Sequence, residues 1–157
     1  CILLKGERYR SPFMQNISVG GFNKRFAKEN RQNAWLAADP SVSDAFNRDP
    51  LCQFIYSLNG FLTVLNLESI VYRDKDYQMK NPGLPIYFMS GKDDPCYISE
   101  RKWEQAITRM RQLGYSNVTA KMFDGMRHEI HNELERQTVF DEIDRFCHMV
   151  LVDNIFS

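Results

Sequence analysis

Two short segments carry residue types that could share one proton-transfer task. They are Gly91-Lys92-Asp93-Asp94-Pro95 and, some 34 residues on, Arg127-His128-Glu129. A carboxylate bonded to one imidazole nitrogen fixes the tautomer, so the other nitrogen can take a proton from a nucleophile while the carboxylate stabilises the imidazolium that forms. Asp94 is the better acid because Pro95 denies its neighbour a helical backbone and holds it extended at the loop. Either aspartate could instead make an Asx-turn or cap the next helix, and His128 taken alone could be a surface histidine ahead of a helix. What joins the two is placement.

Other chemistries find less support. His128-Glu129-Ile130-His131 is H-E-x-H, not H-E-x-x-H, and a third ligand has no obvious donor, so no metal site is expected. Neither G-x-x-x-x-G-K-[ST] nor G-x-G-x-x-G occurs, so no phosphate cradle and no cofactor is expected. A serine nucleophile elbow would read G-x-S-x-G, and Ser18, Ser57, Ser90 and Ser116 all lack that pair of flanking glycines. Cys96 has no basic neighbour to lower its pKa and reads as incidental.

The elements that must position Asp94 and His128 follow from hydrophobic spacing. Leu84 to Ser90 is a short, nearly all-apolar run, suited to a strand buried on both faces. Trp103, Ile107, Met110 and Leu113 recur at helical spacing and stop at Gly114, a type suited to the left-handed position after a helix. Val118 to Phe123 alternates as a second strand, Asp124-Gly125 turns the chain, and Asn132 with Glu135 can cap a last helix striped by Val139, Phe140, Ile143, Phe146, Cys147 and Val150. The order predicts a right-handed parallel βαβ unit. Both segments then lie past the carboxyl ends of strands about 4.8 Å apart, the edge where open α/β sheets bind ligands.

Upstream, Leu58, Phe61, Leu62 and Leu65 continue a helical pattern that starts at Leu51 and fades by Ile70. Residues 1 to 50, broken at Ser11-Pro12, Gly20-Gly21, Asp39-Pro40 and Asp49-Pro50, read as a layer of loops and short helices. Two strands are few for a parallel sheet, and residues 1 to 80 offer no convincing third. Part of the sheet is therefore expected to be missing.

The 157 residues are 43% hydrophobic, 25% charged and formally neutral, which describes one globular domain and excludes disordered and fibrous classes. Zero net charge gives no global field for nucleic acid, and the basic residues among 1 to 33 read as a solvated face. The cysteines Cys1, Cys52, Cys96 and Cys147 are scattered and read as reduced thiols. No apolar run reaches membrane-span length and no leader opens the chain, so a cytoplasmic location is expected. Opening on Cys1 hints at a fragment.

Taken together, Gly91-x-x-Asp94-Pro95 after an apolar strand, Arg127-His128-Glu129-Ile130 with Asn132-Glu133, and Asn47-Arg48-Asp49-Pro50-Leu51-Cys52 resemble the C-terminal half of α/β-hydrolase-fold serine hydrolases of the lysophospholipase and monoacylglycerol lipase type. Ser11-Pro12 and Phe22-Asn23-Lys24-Arg25-Phe26 are similar to that family's cap. The resemblance implies an α/β fold with an incomplete sheet, residues 1–50 cap-like and 51–157 the C-terminal part of the core. It implies Asp94 as triad acid and His128 as triad base, with the serine upstream of residue 1. It also implies a small-molecule acyl ester or lipid substrate, transient membrane-surface contact through the cap, and the N-terminal half of the same enzyme as partner. Alone, the chain would be inactive. A noncatalytic α/β-hydrolase-like binding or interaction module is the alternative.

Overall fold

Parallel pairing of two strands sets the frame. In the computed structural model, which describes residues 2–77 and 79–155, β1 (Ile86–Gly91) pairs with β2 (Val118–Phe123) from Ile86 opposite Val118 to Gly91 opposite Phe123. Cys1, expected as a reduced thiol, lies outside the described residues. The strand expected from Leu84 begins two residues later. Leu84 is bound into a turn by its N–H to Asn81 O, and Pro85 has no N–H to give a ladder.

Nor is β1 buried on both faces as its composition suggested. Only Ser90 and Gly91 are fully buried, while Ile86 to Met89 are partly exposed, since β2 is the only strand paired with β1 among the described residues.

The crossover helix α5 (Glu100–Gln112) starts where Ser99 Oγ accepts from Lys102 N, and it sets Trp103 edge-on to Phe88 of β1. It ends before Gly114, whose φ of +102° needs the freedom of glycine. The last helix, α6 (Arg136–Ile155), begins four residues past the expected cap. Glu133 explains the delay: its carboxylate is drawn to Ala38 N and Arg127 N, leaving its own backbone extended at φ −71°, ψ 164°. Asn132 instead donates to Glu129.

Around Val139 of α6 lies a small core with Phe123 and Met126, packed by Met89 and Ile130. Most of the α6 stripe is less covered, Phe140 and Ile143 remaining 42% and 38% exposed.

The N-terminal layer consists of short helices begun by the same residue pairs that read as breakers. After the single turn α1 (Ile2–Lys5), Ser11 caps α2 (Pro12–Ser18) by accepting from Met14 N, and Asp39 caps α3 (Pro40–Arg48) by accepting from Ser41 N, with proline in the first turn of each of these two. Between them Phe22–Glu29 winds as a 3-10 segment. The helix expected from Leu51 is α4 (Leu58–Val71). Its start is fixed at Ser57, which is held extended by an antiparallel bridge to Arg10 and accepts from Gly60 N. Leu62, Leu65, Leu67 and Ile70 of α4 are 42–60% exposed, so this helix too presents apolar side chains to solvent.

Candidate active site

The two loops after β1 and β2 touch through backbone. Lys92 N donates to Phe123 O and Asp93 N to Met126 O, both at 2.9 Å. The contact requires Gly91, because a Cβ there would sit 2.2 Å from Arg127 O and 2.3 Å from Met126 O. Strand pairing alone would leave these loops as neighbours. The glycine lets them close.

Asp94 stands at the turn with φ −68°, ψ 119°, the extended backbone that a following proline imposes. One carboxylate oxygen accepts from Cys96 N at 2.7 Å and the other lies 3.0 Å from His128 Nδ1. Capping and histidine pairing, competing readings of this residue in sequence, are thus both made by one side chain. Asp93 turns outward to Arg25 at 2.9 Å, with both side chains exposed. His131 is exposed in the turn Ile130–Asn132, and His148 is exposed beside Asp144.

His128 is gripped through its backbone from the N-terminal layer. Its N–H donates to Trp35 O, Glu129 N donates to Leu36 O at 2.7 Å, and the Trp35 ring lies 4.9 Å from the imidazole. Arg127 donates to Ala34 O and Ala37 O, lies 3.9 Å over the Phe26 ring, and pairs with Glu29, whose carboxyl is held down to about 2, chiefly by that Arg127 bond. Glu133, 2% exposed, accepts from Arg127 N at 2.7 Å and Ala38 N at 3.0 Å. Arg127 and Glu133 stood in a recognised motif, yet their work of fastening the histidine loop to residues 34–38 was not visible from it. Their partners in that layer lie ninety or more positions away.

The electrostatics favour an ionised acid and a basic imidazole. Burial pushes the Asp94 carboxyl up, but the bonds from His128 and Cys96 N outweigh it and the net pKa is lowered. The bond to Asp94 raises His128 against a smaller opposing effect of burial. An ionised Asp94 only accepts, so His128 Nδ1 donates and Nε2 is left with a free lone pair. That is the tautomer a general base needs. Cys96, expected to be incidental, rests against this carboxylate, and its thiol is pushed up to about 12 by burial and then by the Asp94 charge.

The family model for serine aminopeptidases of the S33 type matches residues 3–135. The chain belongs to that family. Among solved structures, a lipase in its open form shares 25% identity over 92% of this chain and 47% of its own length, with a TM-score of 0.77. A thermostable carboxyl esterase from Bacillus coagulans superposes at TM-score 0.74 with 20% identity, covering 99% of this chain and 50% of the esterase. A soluble variant of monoglyceride lipase from Saccharomyces cerevisiae, bound to a substrate analog, reaches 0.56 with 15% identity over 89% and 52%. No curated protein matches. This S33 hydrolase chain therefore has an α/β-hydrolase fold in part, and spans about half the length of the structures it matches.

For the S33 chain, the directions of the two shifts define a pH window. A lowered Asp94 gives stability that is whole above the ordinary carboxyl value of 3.8 and is lost as pH falls through its folded value. A raised His128 gives stability that is whole below the ordinary 6.5 and is lost as pH rises through its folded value. The pair contributes most between those limits. We expect Asp94→Asn to bring the His128 midpoint down toward 6.5 in an NMR titration of its ring protons. A midpoint that does not move would contradict the bond.

Proposed function

We propose that this chain is the C-terminal part of a serine ester hydrolase of the lysophospholipase or monoacylglycerol lipase kind. The carrying observation is the 3.0 Å contact between Asp94 and His128 Nδ1 on two touching loops at the carboxyl edge of a parallel sheet. In this reading residues 51–157 supply the C-terminal part of the core. Residues 1–50 form a cap-like segment that meets a membrane surface only transiently. The nucleophile and the oxyanion donors come from the N-terminal half of the same enzyme, because no G-x-S-x-G elbow occurs in the 157 residues.

The steps follow from the tautomer. His128 Nε2 takes the proton of the incoming serine as its oxygen attacks an ester carbonyl, and Asp94 holds the ring and offsets the charge of the imidazolium. His128 then gives that proton to the departing alcohol. Water, deprotonated by the same Nε2, releases the acid from the acyl-enzyme and restores the serine. No cofactor takes part.

A small-molecule acyl ester or lipid suits the surroundings. A groove of about 610 Å³ runs past Val19, Trp35, Phe46, Leu51, Phe54 and Tyr56, within the usual range for small-molecule sites. Trp35 connects it to His128, so an acyl chain lying there would bring its ester toward the base.

The test is labelling by a fluorophosphonate probe. The 157-residue chain alone should take up none, and a protein joining it to a half that bears a G-x-S-x-G serine should be labelled at that serine. Loss of labelling in His128→Ala of the joined protein supports the reading. A joined, folded protein that stays unlabelled would leave a noncatalytic binding module, and stoichiometric labelling of the isolated chain would remove the proposed division of the triad.

A further inference from the structure

We propose that Asp94, Cys96 and His128 together bind a thiolate-preferring divalent cation, Zn²⁺ foremost. One ligand atom from each of the three residues lies within 4.8 Å of the other two. Zinc bonds of about 2.0 Å to oxygen or nitrogen and 2.3 Å to sulfur put the ligands of one tetrahedral ion about 3.3 to 3.7 Å apart. No separation in the cluster therefore has to contract by more than about 1.5 Å. Asp94 and His128 are already 3.0 Å apart.

The backbone has fixed most of this arrangement in advance. Asp94 and Cys96 flank Pro95 at the start of the 3-10 turn Pro95–Tyr97, and the Cys96 N–H bond to the Asp94 carboxylate locks the two residues to each other. Gly91 and the loop contact behind it bring His128 up from the other side. With 41% of its side chain exposed, His128 leaves room for a water as the fourth ligand. A carboxylate, a thiolate and an imidazole are a donor set for zinc, whereas calcium and magnesium prefer oxygen throughout.

Binding exchanges protons for the ion in a balanced way. The Cys96 thiol gives its proton to solvent, and the neutral imidazole keeps one proton but moves it from Nδ1 to Nε2 as Nδ1 takes the metal. Carboxylate, thiolate and dication then sum to zero charge, so the half-buried site goes from the single negative charge of Asp94 to none. An imidazole protonated at Nε2 cannot accept a proton there. If His128 is the base proposed above, the ion switches the hydrolase off by holding the wrong tautomer. Binding itself does not depend on that reading.

Cobalt(II) is the probe, because its thiolate-to-metal charge-transfer absorption reports a sulfur ligand directly. The metal-free 157-residue chain, titrated with Co²⁺, should develop that band with one equivalent, and added Zn²⁺ should abolish it. Cys96→Ser should lose the band, Cys52→Ser should keep it, and His128→Gln should weaken Zn²⁺ binding at least about tenfold. Circular dichroism checks that each variant is folded, and His128→Gln carries the test if Cys96→Ser is not. The proposal fails if wild type gives no band, if folded Cys96→Ser retains it, if Cys52→Ser alone loses it, or if His128→Gln binds Zn²⁺ as wild type does.

Discussion

Asp94→Asn, in a protein that joins this chain to its nucleophile-bearing half, is expected to lower kcat by about 10⁴-fold, the scale of losing a triad acid, while leaving the fold in place. The asparagine amide can still accept from Cys96 N, so the turn survives. It can also donate to His128 Nδ1, however, which places the ring proton on Nε2, where the serine proton has to go. Asp93→Asn is the control. Its partner Arg25 is as exposed as it is, and an exposed pair contributes about 1 kcal/mol at most, so turnover should change by less than about fivefold. Steady-state hydrolysis of a short-chain ester, with circular dichroism on each variant, separates the two. Comparable losses for both would mean that no special carboxylate serves His128.

Gly91→Ala is expected to be the most damaging small substitution for the fold, costing about 3 kcal/mol and lowering Tm by about 6–12 °C. The added methyl would meet Arg127 O at 2.2 Å, Met126 O at 2.3 Å and Met126 C at 2.5 Å, all of them backbone atoms that cannot swing aside as a flexible side chain would. Relief requires the β2 loop to retreat, and Met126, which is 5% exposed and packed on Val139, retreats with it. The same movement pulls His128 from Asp94, so stability and His128 titration should change together. Gly83→Ala, where the nearest atom is 3.8 Å away on Asn81, should change stability by less than about 0.5 kcal/mol. Thermal melts of both variants decide the matter. Equal small effects would mean the loops are not held in contact.

Much of this site was legible in sequence because its determinants are local. The alternation of Val118 to Phe123, the α5 spacing ending at Gly114, and Pro95 behind Asp94 each act within a few residues, and the βαβ order then brings two loops to one edge. Errors arose where a distant partner decides a local choice. Asn132 and Glu135 carry a good capping pattern, but the bonds of Glu133 to Ala38 and Arg127 hold the chain extended and delay α6 to Arg136. The apolar run from Leu51 continues into a helix only after Ser57, because Arg10 pairs with Ser57. In sequence Gly91 only opens the loop after a strand, and the approach of Met126 and Arg127 shows why no side chain fits there. The burial of β1 falls short of what its apolar composition suggests, because β2 is the only strand paired with it among the described residues.

If Asp94 and His128 act as one unit, their losses cannot multiply. The decisive measurement is ester turnover by the joined protein carrying Asp94→Asn, His128→Ala, or both, each shown to be folded. The account predicts that the double variant is no slower than His128→Ala alone, within about threefold, since without the imidazole the carboxylate has nothing to orient. A double variant slower than His128→Ala by the full factor that Asp94→Asn costs on its own would show two independent contributions, and would contradict the dyad.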